Sequence, residues 1–159
     1  EVPAGEPAFR CETLREPRDI RPMQMAGAVH VHPGGRFVYL ANRAFGTVGE
    51  GAARVFAGGE NTIAVFDVDA VTGALRPIQA ADTGGIYART FSIDPAGRML
   101  VAGNSTPLPV RDGELISLQP ANLAVFAIGD DGTLTAVRRY EIPDTGDKLF
   151  WSALVSAPA

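Results

Sequence analysis

The sequence predicts an all-β fold, and three observations carry that expectation. Short segments rich in Val, Ile, Phe and Tyr recur along the 159 residues, as strands require. Turn chemistry separates them: Pro33-Gly34-Gly35, Thr72-Gly73, Pro95-Ala96-Gly97 and Asp131-Gly132 each suit a tight connection. The chain also repeats itself. HPGGRF (32–37) falls over DPAGRM (94–99), NTIAVFDVDAVTGAL (61–75) near NLAVFAIGDDGTL (122–134), and Asp82-Thr83-Gly84 over Asp144-Thr145-Gly146. Three matched segments in one order, offset by about 60 residues, mark a tandem array.

Each copy holds four strands. The first has them at 27–32, 36–42, 61–68 and 74–80; the second at 88–93, 98–103, 122–128 and 134–142. No segment is amphipathic over a helical length; Glu12 to Glu16 and Ala52 to Ala57 are short. Four antiparallel strands repeated in tandem are the blade of a β-propeller. The expected division is residues 1–26 as the end of a preceding blade and a connector, with an outer strand at Ala8 to Leu14. Residues 27–82 form a blade with a long rim loop at 44–60, and residues 83–146 a blade with a long rim loop at 105–121. Residues 147–159 give the inner strand of a following blade, at 149–155, and a tail. That makes two to three blades, whereas closed propellers have about four to eight. The expectation is therefore one piece of a larger propeller. The other blades would come from a partner chain, a cleaved segment of the same precursor or further copies. A start at Glu1 without methionine fits a trimmed piece.

Composition narrows the function. With 46% hydrophobic and 20% charged residues, the chain reads as a folded soluble protein, cytoplasmic or periplasmic. A net charge of −4 with no basic cluster argues against nucleic acid. No apolar run is long enough to cross a membrane. Cys11 is the one cysteine, so neither an internal disulfide nor a Cys-based zinc site can form. His30 and His32 have the spacing of two metal ligands on one strand face, but a third ligand is not evident, and no metal or cofactor is expected. There is no Gly-x-Ser-x-Gly elbow around a nucleophile; Ser92 lies on a strand. No Gly-rich phosphate loop precedes a helix.

AVHVHPGGRFVYLANR, NTIAVFDVDAVTGAL and RTFSIDPAGRMLVAGN together resemble the lactonase family of seven-bladed propellers, its C-terminal portion. That family includes 6-phosphogluconolactonases and gluconolactonases of the propeller type, and fungal carboxymuconate cyclases. The sequence departs from the family at Ala28, where an acidic residue is frequent two positions before the histidine. It departs again at Ala88, where a proline is common, and in the long insertion after Asn42-Arg43. The resemblance implies hydrolysis of an anionic sugar-acid lactone without a cofactor. A muconate-type cycloisomerase is the alternative within the family, and a non-catalytic binding scaffold is the alternative outside it.

Antiparallel order puts the end of the second strand, the start of the third and the start of the first on one face. Arg43, Glu60 and Arg89 then share a rim with both long loops. There Arg43 and Arg89 suit a carboxylate or phosphate, or the oxyanion of an attacked carbonyl. His30, on the innermost strand, suits a general base, with Glu60 orienting it or taking the proton itself. Asn42 and Asn104, at equivalent strand ends, suit hydrogen bonds to substrate hydroxyls. Each has a structural alternative: Arg43 an ion pair with Glu60, Arg89 a salt bridge between blades, His30 a satisfied core position. His32 aligns with Asp94 and reads as a turn cap; Trp151 reads as blade packing.

Overall fold

The computed structural model describes residues 5–143 and 149–156. Its first sheet is built from β1 (Met25–Val31) and β2 (Phe37–Arg43). The chain then forms a short hairpin, β3 (Thr47–Val48) and β4 (Val55–Phe56), around one 3-10 turn at Gly51–Ala53. It returns to the sheet with β5 (Thr62–Val68) and β6 (Leu75–Asp82). The second copy repeats the plan. β7 (Ala88–Ile93) and β8 (Met99–Asn104) are followed by a second hairpin, β9 (Leu108–Asp112) and β10 (Leu115–Gln119). β11 (Asn122–Ile128) and β12 (Leu134–Glu141) complete it. The sheets run β1-β2-β5-β6 and β7-β8-β11-β12, all antiparallel. These are two propeller blades, and both sheets are open.

Strand parity explains the core. Phe37, Tyr39 and Ala41 of β2, with Ile63 and Val65 of β5, face the second blade. Phe91 of β7, Leu100 and Ala102 of β8, and Ala124 and Phe126 of β11 face them. Burying a side chain of this size contributes about 1.5–3 kcal/mol. Polar groups pin the junction as well. The Tyr39 hydroxyl donates to the Gly132 carbonyl (2.9 Å), and the Gln79 amide exchanges two hydrogen bonds with the Leu134 backbone (2.7 and 2.9 Å). Burial, with the nearby Asp131 charge, pushes the Tyr39 phenol up to about 12, so it stays a donor.

Turns are closed by side chains. Asp69 accepts from the backbone of Thr72 and Val71, and these bonds hold its carboxyl below the usual range. Asp131 is lowered in the same way by the Thr133 hydroxyl and N–H. His32 does cap its turn: its Nδ1 accepts from Gly34 N (3.0 Å), and its Nε2 reaches the Gly97 carbonyl (2.8 Å). In the second blade Asp94 takes that place, accepting from Ala96, Arg98 and Met99.

Each long rim loop folds back as a hairpin. Two features differ from the sequence reading. Residues 8–14 form no strand. Side-chain hydrogen bonds, not a ladder, tie this stretch to the sheet: the Thr13 hydroxyl donates to Asn42 Oδ1 (2.9 Å), and just beyond the segment Arg15 donates to the Ala80 carbonyl. Residues 149–156 also lack strand pairing; Leu154 N donates to Ser92 Oγ (3.0 Å) as this segment crosses the outer face of the second sheet. Asp144-Thr145-Gly146 lies outside the described residues.

Candidate functional site

Parity decides where the strand-end residues go. Arg43 continues the Tyr39 and Ala41 side of β2 and therefore turns into the gap between the blades. There it joins His30 and Arg89 on a cleft of about 350 Å³, flanked by Phe150 and Trp151. Asn42 has the opposite parity and turns away.

Two backbone irregularities shape the cleft. In β7 the register skips from Ala88↔Asn104 to Thr90↔Gly103, so Arg89 is the extra residue of a β-bulge. A bulge re-aims its side chain and bends the strand. β1 carries a matching shift between Ala26 and Val29. The shift includes Gly27, where an added Cβ would lie 3.5 Å from Arg43 Cδ and Nε and 3.2 Å from the Ala41 carbonyl. The Arg43 side chain thus lies along glycine backbone.

Among the described residues neither Arg43 nor Arg89 pairs with a carboxylate; the arginines that do are 10, 21, 36 and 76. Arg43 Nε is buried and makes no hydrogen bond among the described residues. Both guanidiniums instead lie over Tyr87, with Cζ 5.2 Å (Arg43) and 5.8 Å (Arg89) from the ring centroid. Arg89 Nη1 donates to the Tyr87 hydroxyl (3.1 Å), and its Cζ sits 4.1 Å from the Phe150 ring centroid. His30 rests on Phe91, with ring centroids 4.6 Å apart. Desolvation there lowers its pKa from 6.5, which favours the free base at neutral pH.

Glu60, Asn42 and Asn104 are placed elsewhere. The Glu60 carboxylate accepts from Glu16 N (3.0 Å) and lies 3.5 Å from the Thr62 hydroxyl, while its backbone is bracketed by the Gln24 amide. It does not line the cleft. Asn42 is 1% exposed, and its amide donates to the Thr13 carbonyl (2.6 Å) and the Thr62 hydroxyl (3.2 Å). Asn104 is 0% exposed and donates to the Thr83 carbonyl (3.0 Å) and Asn122 Oδ1 (2.8 Å). Among the described residues no group of three or more His, Cys, Asp or Glu side chains gathers as a metal site. Nor is any helix there long and apolar enough to cross a membrane. Sequence reasoning missed Phe150 and Gly27 as cleft lining, and Tyr87 as the ring against which both guanidiniums lie. Gly27 carried the one usable signal, a glycine inside a strand pattern, which often marks a bulge.

A chemical reading of this geometry is a cationic, aromatic-walled cleft with a neutral imidazole at its edge. Such a cleft suits an anion and a developing oxyanion. Known proteins agree with the architecture. The 6-phosphogluconolactonase of Bacillus subtilis (strain 168) is 35% identical over 88 residues, 55% of this chain and 21% of that protein. The 6-phosphogluconolactonase of Formosa agariphila is 32% identical over 76 residues, 48% of this chain and 18% of that protein. The chain thus spans about a fifth of the length of these relatives. The solved structure of the Pseudomonas aeruginosa periplasmic gluconolactonase PpgL superposes with a TM-score of 0.55 at 24% identity, covering 79% of this chain and 28% of that one. At that identity the likeness speaks for the fold. A family model described as "Lactonase, 7-bladed beta-propeller" matches residues 8–108. Over most of its length, then, the chain belongs to the lactonase family of seven-bladed β-propellers.

Proposed function

We propose that these two blades supply one wall of the active site of a lactone hydrolase acting on an anionic sugar-acid lactone. The gluconolactone and 6-phosphogluconolactone class is the substrate we favour. The observation that carries this reading is a pair of arginines on one cleft with no carboxylate partner among the described residues, beside a histidine that packs on Phe91 and whose pKa desolvation lowers. The names of the two relatives support the same class.

The proposed step needs only water and the substrate. His30 takes a proton from water as the oxygen attacks the lactone carbonyl. The carbonyl oxygen becomes an oxyanion, and one guanidinium stabilises it. The other holds the substrate's own anionic group. The ester C–O bond then breaks, the departing ring oxygen takes the proton back from the imidazolium, and an open-chain hydroxy acid leaves. Asn42 and Asn104 have no part in this step, since their amides are engaged within the protein. Glu60 has none either, because it is turned toward Glu16. The working unit would contain further blades, supplied by a partner chain, a cleaved segment of the same precursor or further copies.

The test is acid release from glucono-δ-lactone, 6-phosphogluconolactone and muconolactone, followed in a pH-stat with the assembled propeller. We expect turnover above the spontaneous rate, fastest with the phosphorylated lactone. Arg43→Met and Arg89→Met should each lower kcat/KM by roughly 10- to 1,000-fold. Hydrolysis at only the spontaneous rate would leave a binding scaffold, and full activity in both variants would remove the arginines from the site.

A further inference from the structure

We infer that Tyr87 is the positioning residue of this cleft: it fixes the gap between the two guanidiniums without neutralising either. The inference rests on the anion-binding reading above.

Two cations that face one cleft repel each other, and proteins commonly hold such a pair with a carboxylate between them. That solution cancels charge an anionic substrate would otherwise meet. Here an aromatic ring takes the carboxylate's place. Arg43 and Arg89 both lie within about 6 Å of the Tyr87 ring centroid, the range in which a ring face attracts a cation. The phenol oxygen accepts from Arg89 as well (3.1 Å). The ring supplies attraction and direction while leaving both charges formally intact.

Tyr87 is itself held in an unfavourable backbone state. Its φ is +63°, in the left-handed region that a bulky side chain rarely occupies. Such a conformation persists only where the surroundings over-determine it. Here they do. Tyr87 N donates to Asn61 Oδ1 (2.8 Å), the Tyr87 carbonyl accepts from Ser105 N (3.0 Å), and the ring meets Phe45 edge-on at 4.5 Å. Asn61 also accepts from Ala44 N (3.0 Å) and donates to the Ala44 carbonyl (3.2 Å). One buried amide therefore ties the residue after Arg43 to a residue two before Arg89. The spacing of the two arginines is set through Tyr87 on one side and Asn61 behind it.

The test uses the assembled propeller, inorganic phosphate as the probe, the Arg43→Met variant introduced above and two variants of Tyr87. Tyr87→Asn removes the ring with a residue that tolerates left-handed backbone; Tyr87→Phe keeps the ring and removes the hydroxyl. Phosphate affinity is measured by calorimetry, and lactone kinetics are compared for phosphorylated and unphosphorylated substrates. We expect Tyr87→Asn to weaken phosphate binding roughly three- to thirtyfold and to raise KM for the phosphorylated lactone more than for glucono-δ-lactone. Tyr87→Phe should restore most of that loss. If wild type binds no phosphate, or Arg43→Met binds it equally well, the anion-binding reading falls and this inference with it. If wild type binds and Tyr87→Asn binds equally well, Tyr87 alone loses its role. Equal loss for both lactones, without rescue by Tyr87→Phe, would reduce Tyr87 to a structural residue and overturn the proposal.

Discussion

Replacing Asn104 with alanine should cost stability and leave anion binding alone. The side chain is 0% exposed. Its amide nitrogen donates to the Thr83 carbonyl at 3.0 Å and to Asn122 Oδ1 at 2.8 Å. Its Oδ1 lies 2.8 Å from the Thr83 hydroxyl, which is equally near the Asn61 carbonyl and has one proton to give. Alanine therefore removes two certain hydrogen bonds and strands two buried acceptors. Leaving a buried acceptor unsatisfied costs about 1–3 kcal/mol, and Asn122 Oδ1 can recover part of its share by rotating. About 3 kcal/mol is the expected loss. At roughly 2–4 °C per kcal/mol for a chain of this size, Tm should fall by about 6–12 °C. Thermal melts followed by circular dichroism, with phosphate titrations on the same samples, read both quantities. A Tm unchanged within about 2 °C, together with weaker phosphate binding, would place Asn104 against ligand and refute the reasoning.

The lowered pKa of His30 fixes a pH dependence. If the free base is the working form, kcat/KM rises with pH and levels off once the group is deprotonated, with the inflection below 6.5. An inflection above that value, or full activity in His30→Gln, would exclude it as the base. Glycine substitutions should separate the two equivalent third-to-fourth strand turns. Gly132 has φ +81°, and an added Cβ would meet the Phe37 ring at 2.4 Å, whereas Gly73 at φ +74° has nothing within 4 Å. Gly73→Ala should cost about 1–2 kcal/mol for left-handed backbone and Gly132→Ala about 2–5 kcal/mol, because overpacking adds to the backbone term; equal costs in denaturant melts would contradict the packing. Glu60→Gln should keep kcat/KM within about threefold, as expected for a side chain outside the cleft. A hundredfold loss would return Glu60 to the chemistry.

The strands and their order were legible because period-two patterning and turn residues speak locally. HPGGRF and DPAGRM announce the same corner twice, and the hydrogen bonds of His32 and Asp94 bear that out. Parity also contained more than the strand-end argument used. Counting from Tyr39 and Ala41 sends Arg43 into the gap between blades and Asn42 to the other side, so grouping both as ligand contacts ignored the pleat. The bulges at Gly27 and Arg89 break parity locally, and register is a property of two strands that one cannot display. The direction of Glu60 is hidden from the sequence for another reason. Proximity to a rim does not fix a side chain's direction, and Glu16, its backbone partner, lies 44 residues away in sequence. Tyr87 gave no sign at all, since left-handed backbone is ordinarily announced by glycine, asparagine or aspartate.

The polar groups of the blade junction follow two different rules within a few residues. Asn42, Asn104 and Asn122 sit at strand ends and Asn61 just before one, all buried, with their amides engaged. A structure under selection for stability alone would treat Arg43 the same way, because an unmade buried hydrogen bond costs about 1–3 kcal/mol. Arg43 Nε lies one residue from Asn42 and makes none among the described residues. Its strand could have met a carboxylate there: Glu60 is near in the fold, yet it turns to Glu16, and Gln24 holds its backbone in that orientation. Gln24 also donates to the Arg43 carbonyl (3.3 Å), so the same amide that fixes the Glu60 backbone steadies the Arg43 strand. Among the described residues Arg43 thereby keeps its charge without a carboxylate partner. That is what the proposed anion-binding reading asks of it, since the ligand, and not the protein, would then supply the negative charge.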